Sequence, residues 1–143
     1  MRVPAEGRLR GAATFLATFG IGVAAYIAIA ESGGGSPVCV AGGEGCQTVV
    51  ESSYSELLGV DVAVLGVAGY VLLLLTALLR GDGARMAGFA LALAGFGFSV
   101  YLTYLEFFVI EAICQWCVAS AVLMTLLFAT NATRMLAYVG TER

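Results

Sequence analysis

Four cysteines are the evident nucleophiles of this chain, and they come as two close pairs. Cys114-Gln115-Trp116-Cys117 is a C-x-x-C unit placed where a polar edge, Glu106 to Glu111, gives way to a long apolar run beginning at Val118. Two thiols three residues apart on a first helical turn can close a disulfide, and a helix N-terminus stabilises a thiolate. Cys39 and Cys46 lie in one loop, with Gly42-Gly43-Glu44-Gly45 between them, a turn able to fold the two toward each other. The chain has no histidine. That removes Ser-His and Cys-His catalysis and the usual zinc ligands. An even number of cysteines in two close pairs fits two disulfides, or two dithiols in exchange.

Blander readings of the same residues stand beside that one. Free cysteines also pack as small hydrophobes. A Cys39–Cys46 bridge closing a loop of about eight residues would stabilise it by roughly 2–3 kcal/mol as a plain staple. A four-thiolate metal site needs reduced cysteines, which an oxidising compartment disfavours, so no metal is expected.

The elements that must position these pairs are apolar helices. The 143 residues are 60% hydrophobic and 12% charged, with a mean hydropathy of +0.94. Soluble domains carry about 25% charged residues, so this chain has too little polar surface to cover a water-facing globule. The expectation is an all-α integral membrane protein, a single domain over 1–143. Four apolar runs, at about 12–30, 60–79, 86–105 and 113–132, form a four-transmembrane-helix bundle, each run of about 20 residues spanning roughly 30 Å of hydrocarbon. Residues 31–59 form the one long polar loop. Its stretch Gln47 to Leu58 reads as a short amphipathic helix on the membrane, closed by Gly59. Gly88, Gly95 and Gly97 suggest close approaches between helices. Glu106 to Glu111 reads as a short connection whose carboxylates are solvated, although either could accept a proton. With no lysine and no basic patch, a nucleic-acid role has no support.

Charge sets the orientation. All seven arginines fall in the N-terminal tail, the Arg80–Arg85 turn and the C-terminal tail. The opposite side has none, and carries Glu31, Glu44, Glu51, Glu56, Asp61, Glu106 and Glu111 instead. The positive-inside rule then places both termini in the cytoplasm and all four cysteines on the outer face of the plasma membrane. That assignment makes no use of the cysteines, yet it puts them on the oxidising side.

The residues now in view resemble the vitamin K epoxide reductase family in its short prokaryotic form. The resemblance rests on the loop pair Cys39 and Cys46, on Gly45-Cys46 with Ser52 six residues on, on the string Tyr54 to Gly66 leading into the second span, and on Cys114-Gln115-Trp116-Cys117 opening the fourth. It covers roughly Cys39 to Leu127. The bacterial quinone-linked disulfide oxidases also have four helices and two cysteine pairs, but in the reverse order.

The resemblance implies a helix bundle around a quinone of the menaquinone, ubiquinone or vitamin K type. Cys117 looks like the cysteine that reacts with the quinone, and Cys114 like its partner, attacked by Cys46. Cys39 looks like the cysteine that exchanges with an outside dithiol protein, and Ser52 matches the family's loop serine. The ring is expected beside Cys117, among Trp116, Ala121 and Val62. Ala121 stands where vertebrate members have Tyr, and Ser53 and Asp61 stand where the family pattern often has Pro. With no room in the chain for a fused thioredoxin-like domain, the dithiol donor is expected to be a separate protein. The implied activity is that of a quinone-dependent thiol oxidoreductase that supports disulfide formation in exported proteins. The alternative is a non-catalytic membrane subunit with stapled loops.

Overall fold

The structure, a computed structural model, describes residues 2–35, 37–39 and 45–142; the side chains of residues 2–5, 50, 141 and 142 are not part of that description. The glycine turn read at 42–45 lies outside it except for Gly45.

Four long helices carry the fold: α1 (Arg2–Ser32), α3 (Val62–Leu78), α4 (Asp82–Tyr104) and α5 (Gln115–Glu142). A short α2 (Gly45–Val50) lies in the loop between the first two. Helix α1 packs on α3 and α5, and α4 packs on α3 and α5, which closes a four-membered ring of neighbours. Among the described residues, three stretches are long and apolar enough to cross a membrane: Glu6–Ser32, Asp82–Ile110 and Gln115–Gly140. Helix α3 is apolar but shorter, at 17 residues.

The outward faces of these helices are as apolar as their contacts. Phe15, Phe19, Leu72, Phe108 and Leu136 are all exposed, Phe108 to 70%. In water such a surface would drive association; against lipid tails it is the solvated face. Helices in lipid are held by close packing and by buried polar contacts. Small residues accordingly line the seams. Ala13, Ala17, Ala24 and Ala92 are buried. A methyl group added at Gly20 would fall into the Tyr70 ring, and one at Gly95 would come within 2.7 Å of Met124 Sδ. Gly88 faces Asn131 and Thr76 in the same way, whereas Gly97 faces open space.

The helix ends differ from the sequence expectation in informative ways. The N-terminal and C-terminal stretches read as polar tails are helical, because each finds partners across the bundle. Arg10 donates to the carbonyls of Ala77 and Leu78, both at 3.1 Å. A cation there complements the open C-terminal carbonyls of α3. Arg134 is buried and pairs with Glu6 at 2.9 Å, and Arg85 lies 3.7 Å from the same carboxylate. The arginine-bearing segments thus gather at one end of the bundle, opposite the cysteines.

The loop also differs. Instead of one amphipathic helix over 47–58, the chain makes the six-residue α2, a 3-10 turn at Ser53–Ser55, and a hairpin of β1 (Glu56–Leu57) and β2 (Val60–Asp61). The register pairs Glu56 with Asp61 and Leu57 with Val60. Leu58 and Gly59 make the two-residue turn with φ of 55° and 82°. Positive φ at both positions matches the twist of a tight hairpin. Gly59 therefore serves a hairpin turn rather than a helix cap. The connection read at 106–111 is also absent as a loop: α4 continues into a π-helical turn, Leu105–Ile110, and stops only at Glu111, with φ of 57°.

Candidate functional site

The C-x-x-C opens α5. Cys114 sits immediately before Gln115, the first helical residue, and its carbonyl accepts the N–H of Val118 at 3.0 Å. The Cys114 sulfur therefore faces the free N–H groups of a first helical turn. Its thiol is lowered from the ordinary cysteine range, first by the hydrogen bond from the Cys117 thiol and then by the backbone N–H groups of Cys117 and Trp116; burial and the Glu106 charge oppose the shift. Cys114 and Cys117 are not bonded to each other, whereas Cys39 and Cys46 form a disulfide with their Cα atoms 5.9 Å apart.

Two contacts tie the loop that carries one pair to the start of α5 that carries the other. Gly45 lies against Ile113 so closely that an added Cβ would overlap the Ile113 carbonyl oxygen. Only glycine leaves room for that approach. The residues that follow each partner are Cys46 and Cys114, which are 1% and 0% exposed. On the other side of the loop, Trp116 Nε1 donates to the Val38 carbonyl at 2.7 Å, and Val38 N donates to the Tyr26 hydroxyl at 3.0 Å. The Trp116 and Tyr26 rings meet at 4.9 Å. Val38 is thereby held from both sides, next to Cys39, which remains partly exposed.

Beneath the cysteines a mostly apolar cavity of about 190 Å³ opens between α1, α3, α4 and α5. Cys117 lines it, as do Val62, Ala121 and Ser52 from the expected set. Trp116 does not; its ring lies on the opposite face of α5's first turn, in a groove with Phe15, Phe19 and Tyr26. The correction follows from helical geometry, since adjacent residues on a helix point about 100° apart. The Ser52 hydroxyl donates to the Val49 carbonyl at 2.7 Å. Tyr70, buried in the core, reaches the cavity wall and shares its hydroxyl with the carbonyl and side chain of Ser120 at 2.8 and 2.9 Å.

Two carboxyl groups complete the cavity's outer end. Glu106, read from the sequence as solvated, is 4% exposed and accepts the Cys114 N–H at 3.2 Å. Its own carbonyl accepts the N–H groups of Glu111 and Ala112, which ends the π turn. Glu31, near the end of α1, also lines the cavity, and its Oε2 is buried with no hydrogen-bond partner among the described residues. Glu111, by contrast, is exposed. A signal for Glu106 was present in its neighbours: Leu105, Phe107 and Phe108 continue the apolar run of α4 with no glycine or proline to break it.

Helices this apolar, with a disulfide in the loop, a free C-x-x-C at the start of α5 and Gly45 packed against Ile113 between them, define a membrane protein of thiol–disulfide type. A family model described as the vitamin K epoxide reductase family matches residues 12–132, and the chain belongs to that family. A search of curated proteins found no match. Membership makes the chain a membrane thiol oxidoreductase of a family that generally uses a quinone.

Proposed function

We propose that this protein carries electrons from a reduced, thioredoxin-like dithiol protein outside the membrane, through its two cysteine pairs, to a membrane quinone. Four helices span the plasma membrane, α3 being the short one, with both termini in the cytoplasm and the cysteines on the outer face. The oxidised partner then introduces disulfides into exported proteins. The observation that carries the reading is the position of Cys117: among the described residues it is the one cysteine that lines the cavity, three residues after Cys114 at the start of α5.

Each thiol step is attack of a thiolate on a disulfide sulfur through a mixed disulfide. The partner's thiolate attacks Cys39, releasing Cys46. Cys46 attacks Cys114 of an oxidised Cys114–Cys117 pair, and Cys117 leaves as the thiolate. The partner's second thiolate attacks the partner sulfur of the mixed disulfide, which releases the oxidised partner and frees the Cys39 thiolate. Cys39 then attacks Cys46, which reforms the outer disulfide, releases Cys114 and leaves the inner pair as a dithiol. The helix N-terminus favours the negative charge that Cys114 carries during these exchanges.

The cavity fits a quinone ring on three grounds. Its walls at Val62, Ala121 and Met124 are apolar, Cys117 presents a sulfur, and the unpartnered Glu31 oxygen lies at its outer end. Its volume is below the roughly 300–1,000 Å³ of sites that enclose whole drug-sized molecules, so it suits a ring whose tail leaves between helices. When bound, the quinone supplies a sink for two electrons and two protons. The test is dithiol-driven quinone reduction by the purified protein. Cys117→Ala should abolish it while the Cys39–Cys46 pair still exchanges with a dithiol; retained quinone reduction would reject the assignment.

A further inference from the structure

Oxidising a dithiol breaks two S–H bonds and forms one S–S bond. Two electrons leave with two protons, and in a chain without histidine some other group has to move the protons. Two hydroxyls at the cavity are engaged, that of Tyr70 with Ser120 and that of Ser52 with Val49, and a hydroxyl is a far weaker proton acceptor than a carboxylate. Glu106 offers a carboxyl at the C-x-x-C itself. It is a buried carboxyl in an apolar run, where an unpaired charge is costly to keep and a leucine would pack as well. One of its oxygens holds the Cys114 N–H, and the side chain also faces the cavity. Glu31, Glu106 and Cys117 line the same cavity.

We propose that Glu106, with Glu31 as the second carboxyl of the same cavity, carries protons between the Cys114–Cys117 dithiol and the electron acceptor. The inference rests on the quinone reading above. As the inner S–S bond forms, Glu106 takes a thiol proton on its cysteine side. It gives that proton up on its cavity side, to an oxygen of the acceptor that has received the two electrons, and ends the cycle unchanged. Glu31 supplies the route for the second proton from the outer end of α1.

A capping role for Glu106 is separable from proton transfer. Glu106→Gln keeps the size of the side chain and a carbonyl able to accept the Cys114 N–H, but it does not carry a proton as a carboxyl does. Two readouts decide. The first needs no quinone: the purified protein is driven electrochemically between inner dithiol and inner disulfide, and the infrared difference spectrum is recorded. Wild type should show a carboxyl C=O band that Glu106→Gln removes. The second is dithiol-driven quinone reduction, where Glu106→Gln should lower kcat by roughly 10²–10⁴-fold, the usual worth of a positioned acid–base group, with the quinone KM unchanged. Equal kcat in Glu106→Gln and wild type overturns the proposal. So does a wild-type spectrum with no carboxyl band, a result that needs no variant to fold. A wild type that reduces no quinone at all defeats the quinone reading instead, and is told apart by that.

Discussion

The indole N–H of Trp116 reaches the carbonyl of Val38 across 2.7 Å, so the C-x-x-C helix holds the backbone next to Cys39 directly. Trp116→Phe keeps a ring against Tyr26 and deletes the donor. The loss should be about 1 kcal/mol, the usual net value of one hydrogen bond. Hydrogen exchange at Val38 and Cys39 should speed up, while exchange in α3 and α4 stays as in wild type. Unchanged protection at Val38 would show that the bond does not hold the segment.

Gly45 is the second point of attachment. Its approach to Ile113 brings the residue before Cys46 against the residue before Cys114, and a methyl group there collides with a backbone carbonyl that cannot swing away. The Cys39→Ser/Cys117→Ser variant leaves those two cysteines without their normal partners and should accumulate an internal Cys46–Cys114 disulfide. Adding Gly45→Ala should cut that yield by about tenfold, since overpacking costs roughly 1–3 kcal/mol. Peptide mapping under oxidising conditions reads both. If the double variant shows only free thiols, the two pairs do not meet.

How much of this was legible in the sequence depended on whether local signals acted alone. The C-x-x-C at the start of α5 and the apolar runs were visible because composition and spacing suffice for them. The hairpin was not. Val49, Tyr54, Leu57 and Leu58 look like one helical face, and only the paired positive φ at Leu58 and Gly59 reveals a turn. The helical ends were hidden for a different reason: Arg10 and Arg134 look like tail residues until their partners, the α3 carbonyls and Glu6, are brought up by packing. Glu106 was misread on its residue type, because a carboxylate near a membrane edge is usually solvated. Its burial follows from the π turn, and the unbroken apolar neighbours Leu105, Phe107 and Phe108 were the signal that outweighs the residue type.

Cys114 should show the effect of its neighbours on titration. In a Cys39→Ser/Cys46→Ser background, Cys114 and Cys117 are the remaining thiols. The Cys117 thiol is the largest of the groups holding the Cys114 thiol below its ordinary value. Removing it with Cys117→Ala takes away a donor to the thiolate, so the midpoint must move up in pH. Thiolate ultraviolet absorbance followed against pH should show the first thiolate appearing at higher pH in the Cys117→Ala variant. A midpoint that stays or falls would mean that the helix N–H groups alone set it.

Orientation rests on the arginines. Arg10, Arg85 and Arg134 sit at the bundle end opposite the cysteines, bound to α3 and to Glu6. With that end in the cytoplasm, a membrane-impermeant thiol reagent applied to intact cells after reduction should label the cysteine end. Labelling that requires broken cells would invert the topology.

The proposed entry of electrons at Cys39 rests on the unequal exposure of the outer pair. Cys46 is buried against α5, whereas Cys39 remains partly open beside the exposed Val38. An incoming thiolate must approach in line with the S–S bond, and it can do so at Cys39 without moving α2. Attack there makes Cys46 the leaving thiolate, one residue after Gly45, which packs against Ile113 just before Cys114. Cys46→Ala should therefore trap a mixed disulfide between Cys39 and a thioredoxin-like protein, because the resolving thiol is gone. After acid quench, that adduct should run as a larger species on a non-reducing gel and collapse on reduction. If Cys46→Ala traps nothing while Cys39→Ala traps an adduct through Cys46, then α2 must lift away from α5 before exchange, and the order of the two outer cysteines is reversed.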